Sequence, residues 1–449
     1  MVSKRTQELI EADAEHIVHG MYTVGQNKGI VIEKANGIYL VDTEGKEYID
    51  LSSQLICVNL GHRRQEIIDA ITKAMNEIDF VTTFFGISNP YIIEVSEKLA
   101  KLTPGDLNHF HFTSGGAEAV DSAVKLARFY WNRKGLAGKY KIISLYASYH
   151  GSAGISTNVT GLGRGANQNP FGPVAPGFIH VPPPYSYRCM FGDVPDCGQA
   201  SVNYLEAVIQ AEGPESIAAF IAEPIMGAAG MIEPPPNWWP QVADLCKKYD
   251  ILLIVDEIMS GFARTGKMFA SEHWGVKGDM MTMAKGIVNS ALPFAAVALS
   301  DKVYDVLKDG MLPHGFTYSG HPIAVAASSA ALDIYVRDNV VENAATIGKH
   351  IKQRLETEFV PLSCVGYADG RGVFQALELV NDKKTKAPID QQTKEKFWQD
   401  LFDAGIFTRV IGWLGNRMFI CPPCTITIEE ADRALDIIKP LVAALTPKS

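Results

Sequence analysis

Long apolar runs and concentrations of like charge are both missing from this sequence of 449 residues. No apolar stretch reaches the roughly 20 residues that a membrane-spanning helix needs, and the N-terminus lacks the apolar core of a signal peptide. The net charge of −9 and the absence of a lysine or arginine run argue against a nucleic-acid-binding surface. We therefore expect a cytoplasmic globular protein without nucleic-acid or membrane partners, and its length favours two or three domains.

Cysteine is scarce, and the seven cysteines form an odd, scattered set that is typical of a reducing compartment. Cys421 and Cys424, separated by two prolines, have the spacing of a redox-active pair. Because they lie in an apolar, strand-like run and not at the start of a helix, a structural role is favoured over a redox role. No second pair of ligands stands at a spacing that would complete a zinc site, so we predict no bound metal.

The stretch from Ile251 to Lys285 is the most informative part of the chain. Residues 251–255 are continuously apolar and end at Asp256, a pattern that predicts a strand buried on both faces of a parallel sheet. Ligands of open α/β sheets bind at the carboxyl ends of such strands. Lys285 follows in apolar surroundings that lower the pKa of an amine. A carboxylate and a desolvated lysine in one site indicate carbonyl chemistry through a Schiff base.

From about residue 108, strands and helices alternate regularly, which predicts a doubly wound α/β domain. The predicted strands are residues 108–112, 141–145, 217–222, 251–255 and 294–299. The predicted helices among them are residues 118–131, 238–248 and 323–335. Residues 155–200 form a long segment rich in glycine, proline and asparagine, which is typical of a functional lid or an interface.

The first of these strands leads directly into a turn of small residues and then into a helix. Backbone N–H groups at a helix N-terminus are unpaired, and the helix dipole favours an anion there. Small side chains allow the anion to approach closely. Gly115, Gly116 and Ala117 are therefore candidates for a phosphate site, with a simple tight connection as the alternative interpretation.

Two more strands end in residues that suit a site. Tyr149 and His150 follow the strand at 141–145, where they could stack on a planar ring or pack within a loop. Glu223 ends the strand at 217–222. Carboxylates at the ends of two neighbouring strands, Glu223 and Asp256, favour a functional role over a structural one.

The two ends of the chain contain the remaining elements. Helices are predicted at residues 6–19, 64–78, 91–101, 343–358, 393–404 and 428–445, a hairpin at 37–51, and strands at 364–367, 372–379, 406–410 and 418–421. The predicted fold is α/β, with a large doubly wound, mostly parallel-sheet domain at residues 63–335. A smaller α+β domain is predicted from the C-terminal segment 336–449 joined by the N-terminal segment 1–62.

Six short motifs occur in one order along the chain and together resemble the class III aminotransferases, which are pyridoxal-phosphate enzymes of fold type I. They are Thr113-Ser114-Gly115-Gly116-Ala117-Glu118-Ala119, Tyr149-His150-Gly151, Ala222-Glu223-Pro224, Val255-Asp256-Glu257-Ile258, Ala284-Lys285-Gly286 and Thr317-Tyr318-Ser319-Gly320-His321-Pro322. The resemblance runs from about residue 30 to the C-terminus. It implies pyridoxal 5′-phosphate as the cofactor and an α/β fold with a large cofactor-binding domain.

The resemblance also implies a role for each matched residue. Lys285 would hold the cofactor as an internal aldimine and then act as the base, and the reaction would pass through pyridoxamine phosphate. The other implied contacts are Asp256 with the pyridinium nitrogen, Gly115, Gly116 and Ala117 with the phosphate, Tyr149 and Ile258 with the two ring faces, and His150 and Glu223 beside the ring. Thr317 would reach the phosphate of the neighbouring subunit, which implies a homodimer with interface active sites, or a tetramer built from it.

The substrate is less strongly indicated. Members of this family that use pyruvate carry an arginine just before the Pro-Pro strand, which binds the acceptor carboxylate, and Arg409 is the candidate here, with Arg417 as the alternative. Met259 stands where many α-ketoglutarate-using members carry glutamine. The resemblance places the substrate pocket among Tyr22, Ile56, Phe84, Phe85, Tyr149 and Arg409, with Phe84 and Phe85 contributed by the partner subunit.

The leading hypothesis is therefore an ω-amino acid or amine:pyruvate aminotransferase. An α-ketoglutarate-using aminotransferase is the alternative, and an aminomutase, racemase or decarboxylase on the same scaffold is a further one. A non-catalytic binding module would be expected to lack the lysine, and Lys285 is present.

Overall fold

The apolar runs that predict strands form the centre of the computed structural model, which describes residues 2–27, 29–163 and 172–445. Its strands are β1 (Ile32–Asn36), β2 (Tyr39–Asp42), β3 (Glu47–Asp50), β4 (Leu107–Thr113), β5 (Lys141–Leu145), β6 (Phe178–Val181), β7 (Ile217–Ala222), β8 (Leu252–Asp256), β9 (Met280–Met283), β10 (Ala295–Ser300), β11 (Val365–Arg371), β12 (Phe374–Asp382), β13 (Ala387–Pro388), β14 (Ile406–Phe407), β15 (Val410–Ile411) and β16 (Arg417–Ile420).

Helices surround these strands. They are α1 (Lys4–His16), α2 (Ser53–Ile56), α3 (Gln65–Glu77), α4 (Pro90–Leu102), α5 (Gly116–Arg133), α6 (Gly154–Val159), α7 (Cys197–Glu212), α8 (Trp238–Lys248), α9 (Asp301–Leu307), α10 (Pro322–Arg337), α11 (Val340–Arg354), α12 (Gln391–Asp403) and α13 (Ile428–Ala443). Short 3-10 turns are Phe84–Gly86, Ser186–Arg188, Pro214–Ser216, Ala270–Trp274 and Lys285–Val288, and Leu355–Phe359 is a π-helical turn. Within the described ranges, no helix has both the length and the apolar character that crossing a bilayer requires.

The largest sheet contains seven strands in the order β4-β10-β9-β8-β7-β5-β6. Strand β10 is antiparallel to both of its neighbours, β4 and β9, and the other strand pairs of this sheet are parallel. The prediction of a mostly parallel sheet is therefore confirmed. Strand β8 shows why an apolar run without alternation was informative. Leu252 and Ile254 pack into the cluster on the α5 side, whereas Leu253 and Val255 pack into the cluster that contains α8. Both faces of the strand are therefore buried, as the unbroken run predicts.

Two smaller sheets lie outside this one. The first has the order β1-β2-β3-β14, and the second is β11-β12-β16-β15 with β13 paired to β12. Strand β14, from the C-terminal part of the chain, pairs in parallel with β3, so that Ile406 lies opposite Ile49. The predicted hairpin at 37–51 is present as β2 and β3, which pair antiparallel. The domain boundaries at residues 62 and 335 stay predictions.

Residues 155–200 contain more regular structure than the sequence indicated. Strand β6 pairs in parallel with β5, and α6 and the start of α7 lie in the same segment, of which residues 164–171 fall outside the described ranges. The strand escaped prediction because it is only four residues long and borders glycine- and proline-rich stretches. Here sheet pairing, and not local preference, determines the strand.

The predicted strand at 406–410 is in fact two strands in two sheets. Strand β14 pairs with β3, whereas Val410 of β15 pairs with Met418 of β16. Thr408 lies at the crossing and donates a hydrogen bond from its hydroxyl to the Phe419 carbonyl at 2.6 Å. An apolar pattern indicates that a segment is buried but not which sheet the segment joins. The sequence therefore could not show that residues 406–410 are divided between two sheets.

The cysteines differ in part from the scattered, unpaired set that the sequence suggested. Cys189 and Cys197 form a disulfide with their Cα atoms 5.9 Å apart, which ties the turn before α7 to the first residue of that helix. Cys421 and Cys424 are both buried and unbonded.

Candidate active site

The carboxyl ends of the parallel strands meet at one edge of the large sheet and surround a cavity of about 440 Å³. Parallel strands place the residues that follow them on the same side, so separate parts of the chain converge there. The predicted site residues that line the cavity are Gly115, Gly116, Ala117, Tyr149, His150, Glu223, Asp256, Ile258 and Lys285. The sequence therefore predicted the convergence that the structure shows.

Asp256 is the last residue of β8 and is only 2% exposed. One carboxylate oxygen lies 2.6 Å from Nδ1 of His150, and the other accepts the Ile258 backbone N–H at 3.0 Å. With Asp256 ionised, the N–H at Nδ1 of His150 donates a hydrogen bond to the carboxylate. Among the described residues, His150 Nε2 is buried without a hydrogen-bond partner. The pair thus holds a fixed carboxylate at the wall of the cavity.

Lys285 follows β9 and begins a 3-10 turn. Its backbone lies in the left-handed region, with φ of 52°, a strained conformation that proteins concentrate at functional sites. Burial lowers the pKa of its amine, whereas Cys57, Asp256 and Glu223 favour the charged form. The net lowering increases the fraction of neutral amine, which is the form that attacks a carbonyl carbon.

Glu223 lies directly after β7 and is buried. Its carboxyl oxygens accept the backbone N–H groups of Tyr149 at 2.9 Å and Gly227 at 2.8 Å. Burial raises the pKa of this carboxyl to about 7, His150 opposes the increase, and Asp256 adds to it. Glu223 is therefore divided between its protonated and ionised forms near neutral pH.

The N-terminus of α5 also lines the cavity. This helix of 18 residues begins at Gly116, and no side chain caps it. A Cβ on Gly115 would have no atom within 4 Å, whereas one on Gly116 would lie 3.0 Å from the Ile258 side chain. Gly151 has φ of 124°, and a Cβ there would lie 2.8 Å from that of Ala117. Small residues thus leave the helix end open to an anion.

These features together fit pyridoxal phosphate. An open helix N-terminus suits the phosphate, and Tyr149 and Ile258 line the same cavity as the carboxylate of Asp256. A buried carboxylate suits a protonated ring nitrogen, and the amine of Lys285 suits an aldehyde. The donor set is therefore the one that this cofactor requires.

Six predicted residues do not line the cavity: Tyr22, Ile56, Phe84, Phe85, Thr317 and Arg409. Ile56 is 3% exposed and packs in a separate apolar cluster with Phe374 and Phe419. Phe85 is 95% exposed, and Thr317 is exposed as well.

The segments around Phe84 and Thr317 lie beside each other on the surface. The Phe84 ring packs so closely on Gly315 that a Cβ there would lie 2.7 Å from it. The Thr83 hydroxyl donates a hydrogen bond to the Ser319 carbonyl at 3.1 Å. Phe84, Phe85 and Thr317 therefore form one surface region outside the cavity of their own chain.

The two candidate arginines have opposite surroundings. Arg417 is 2% exposed, and its guanidinium lies 3.1 Å from Glu378 and 3.4 Å from Asp369. It also donates to the Gly230 carbonyl at 2.6 Å and 2.8 Å. The side chain of Arg409 is half-buried, and no described residue forms a hydrogen bond or ion pair with it. Only Arg409 has a guanidinium that is free for a carboxylate.

Several lining residues were not identified as pocket residues from the sequence. Met259 was noted only as a departure from a family pattern, and it lines the cavity. The segment from Ser290 to Phe294 forms another wall. This segment is short, with small and apolar residues and no periodicity, so the sequence contained no signal that would distinguish it from an ordinary loop.

Comparison with known proteins agrees with this geometry. The sequence pattern of the aminotransferase class-III family matches residues 21–442. The putrescine–pyruvate aminotransferase of Pseudomonas aeruginosa is 36% identical over 413 residues, covering 91% of this chain and 89% of that protein. The diaminobutyrate–2-oxoglutarate transaminase of Halomonas elongata is 33% identical over 442 residues, covering 95% and 94%.

Solved structures show the same similarity. The ω-transaminase of Pseudomonas jessenii, determined in complex with PMP, superposes with a TM-score of 0.90 at 34% identity, covering 97% of this chain and 99% of that one. The family pattern spans most of the chain, and the cavity contains the lysine, carboxylate and open helix end that the cofactor needs. The chain therefore belongs to the class III aminotransferases, which depend on pyridoxal phosphate.

Proposed function

We propose that this aminotransferase transfers an amino group from an ω-amino acid or a primary amine to pyruvate. The observation that carries the proposal is that the half-buried guanidinium of Arg409 has no hydrogen-bond or ion-pair partner among the described residues. The guanidinium of Arg417, the alternative candidate, is instead bound in a buried network. A planar guanidinium binds a carboxylate through two parallel hydrogen bonds. An arginine without a fixed partner can bind the keto acid and leave the pocket to an uncharged donor.

Each cavity residue has a proposed role towards the cofactor. We assign the phosphate to the backbone of Gly115, Gly116 and Ala117, and the ring nitrogen to Asp256. Tyr149 and Ile258 would cover the two ring faces. His150 would hold Asp256 through the 2.6 Å contact, and Glu223 would lie on the side of the ring hydroxyl. When bound, pyridoxal phosphate supplies the electron sink that stabilises a substrate carbanion.

Lys285 performs the proton transfer in this proposal. Its Nζ, once free, would remove the proton from the donor carbon and would deliver it to the cofactor carbon on the other side of the transferred nitrogen. That role requires a neutral amine, and burial lowers the pKa of Lys285 in the required direction. Asp256 meanwhile holds the proton on the ring nitrogen, because the ionised carboxylate favours the charged form of the ring.

The preference for pyruvate has two supporting observations. Met259 presents a thioether and not an amide to the cavity. The relative from Pseudomonas aeruginosa is named for pyruvate. The relative from Halomonas elongata is named for 2-oxoglutarate, so that acceptor is the second candidate.

An acceptor panel tests the proposal. The enzyme is loaded with the amino group from a primary amine, and pyruvate or α-ketoglutarate is then added while alanine and glutamate are quantified. We expect alanine to form with a much higher kcat/KM than glutamate. Exclusive formation of glutamate would overturn the pyruvate assignment. Transfer of ¹⁵N from the amine into a different molecule also separates an aminotransferase from an aminomutase or racemase, which keep the nitrogen on the same skeleton.

We also propose that the active unit is a homodimer in which each subunit completes the site of the other, and the cytoplasmic location stays a prediction. Phe84, Phe85 and Thr317 share an exposed surface outside their own cavity, which suits contact with a partner subunit. Tyr22 is partly exposed and would complete the pocket. Ile56 would shape the pocket indirectly, because Met259 lines the cavity and packs against the cluster that contains Ile56.

Subunit complementation tests this arrangement. Lys285→Ala removes the amine, and Thr317→Asp places a negative charge where the partner's phosphate is expected. Each variant alone should be inactive. A mixture should recover activity, because a hybrid dimer contains one site with both an intact Lys285 and an intact Thr317. A mixture that stays inactive, although hybrid dimers form, would place Thr317 in its own subunit's site.

A further inference from the structure

Arg264 is a fully buried cation without an anionic partner among the described residues. Its relative exposure is 0%, yet no carboxylate lies within ion-pair distance of it. The guanidinium donates to neutral oxygens only: Asn59 Oδ1 at 2.6 Å, Ser53 Oγ at 3.2 Å, the Val373 carbonyl at 3.4 Å and the Pro422 carbonyl. Its Nε is buried with no partner.

A buried charge of this kind is costly. Taking an ion out of water carries a penalty of several kcal/mol that neutral acceptors offset only in part. A structural tie between the same segments could be made by an uncharged side chain at a smaller penalty. The retained positive charge therefore suggests an electrostatic effect on a neighbouring group.

The neighbouring group is Lys285, and Asn59 connects the two. Asn59 accepts a hydrogen bond from Arg264 through Oδ1, and its Nδ2 donates to the Phe262 carbonyl at 2.7 Å. The same Nδ2 lies 2.5 Å from the point where a Cβ on Gly286 would stand, so it contacts the residue next to Lys285. The guanidinium therefore lies one side chain away from the backbone of the catalytic lysine.

We propose that Arg264 is a positioning residue for catalysis, whose buried charge, one side chain away from Lys285 through Asn59, opposes protonation of the Lys285 amine. Cys57, Asp256 and Glu223 face Lys285 from other elements, and each favours the charged amine. Burial lowers the pKa of Lys285 most, and Arg264 lowers it further, against these three groups. The inference rests on the role proposed for Lys285 and is independent of whether pyruvate is the acceptor.

The test separates the charge from the hydrogen bonds. Arg264→Gln removes the charge but keeps an amide for bonding, whereas Arg264→Lys keeps the charge and loses most of the bonds. The pH-dependent absorbance of the holoenzyme gives the titration midpoint of the Lys285 nitrogen. The acid limb of kcat against pH gives a second, kinetic value for the pKa of this nitrogen. We expect both values to move upwards in Arg264→Gln and to stay at the wild-type position in Arg264→Lys. Ser53→Ala, which removes one acceptor and no charge, is the matched control and should also leave them unchanged.

Three results would overturn the inference: a wild-type midpoint in folded Arg264→Gln, an equal shift in both arginine variants, or a shift in Ser53→Ala. If Arg264→Gln does not fold, Asn59→Asp takes its place, because it puts a carboxylate 2.6 Å from the retained guanidinium and compensates the charge. An unchanged midpoint in that variant would also contradict the inference. Borohydride reduction and peptide mapping of wild type report separately on Lys285. No adduct there would refute the role of the lysine on which the inference rests, whereas an adduct together with an unchanged midpoint in Arg264→Gln would refute the role of Arg264 alone.

Discussion

Arg409 and Arg417 should respond in opposite ways to the same substitution. The Arg417 guanidinium lies 3.4 Å from Asp369 and 3.1 Å from Glu378. Arg417→Met leaves Asp369 buried without an ion-pair partner among the described residues, whereas Glu378 keeps Arg188. Removing one member of a buried ion pair typically costs about 3–5 kcal/mol in stability. Arg409→Met breaks no hydrogen bond or ion pair within the described chain. Its effect on stability should therefore stay within about 0.5 kcal/mol.

The kinetic effects should be reversed. Hydrogen bonds to charged groups contribute about 1.5–3 kcal/mol each. Loss of a two-pronged contact from Arg409 should therefore remove about 3 kcal/mol or more, which lowers kcat/KM for pyruvate by at least about 100-fold. The donor half-reaction with an uncharged amine makes no use of this contact, so its rate should hardly change in Arg409→Met.

Single-turnover measurements can separate the two half-reactions. The cofactor absorbance is followed after mixing with a primary amine, and then, in a second experiment, after mixing the aminated enzyme with pyruvate. Denaturation of each variant gives the stability values. A wild-type rate with pyruvate in Arg409→Met would refute the assignment of the acceptor site. Wild-type stability of Arg417→Met, together with a selective loss of pyruvate turnover, would reverse the roles of the two arginines.

Four more predictions concern pH, packing, cofactor binding and assembly. The folded-state pKa of Glu223, about 7, lies above its ordinary value of 4.5, so this group reduces stability as pH rises through that window, by about 3 kcal/mol in all. The melting temperature of Glu223→Gln should therefore rise relative to that of wild type between pH 5 and pH 8. A difference in melting temperature that stays constant over this range would contradict the prediction. Gly286→Ala should lose about 1–3 kcal/mol, because its methyl group would lie 2.5 Å from Asn59 Nδ2. Gly115→Ala, whose methyl group meets no atom within 4 Å, should keep its melting temperature but bind the cofactor more weakly in a titration. Phe85→Asp should shift the mass in light scattering from dimer to monomer, since it places a charge on a ring that is 95% exposed in the single chain; an unchanged mass would place the interface elsewhere.

The sequence predicted the elements whose signal is local. Strand β8 was predicted because five consecutive buried positions require an unbroken apolar run. The parallel direction of β5, β7 and β8 then placed Tyr149, Glu223 and Asp256 at one edge. Strand β6 was missed, and β14 and β15 were merged, because their pairing partners decide these strands and partners are not visible in a single sequence.

The positions of Ile56 and Thr317 show a second limit. The family resemblance marks both residues, but it does not state whether a side chain serves its own cavity or another one. In the single chain, Ile56 packs against Phe374 and Phe419, and Thr317 faces outwards. The proposed role of Thr317 therefore depends on assembly, which is a property of two surfaces and not of one local pattern. Ile56 is already buried in its own chain, so it can affect the pocket only through its neighbours.

The three arginines Arg264, Arg409 and Arg417 show why charge alone could not identify the site from the sequence. Arg417 contacts two carboxylates, so its substitution should mainly affect folding. The Arg409 side chain forms no hydrogen bond or ion pair with the described residues, so its substitution should mainly affect an acceptor that carries a carboxylate. Arg264 has neutral partners in a fully buried place, so its charge acts on Lys285. What distinguishes the three is the set of groups brought to each guanidinium by remote segments, from Ser53 to Glu378. Only the folded chain defines that set, and it predicts a different outcome for the same loss of charge at each position.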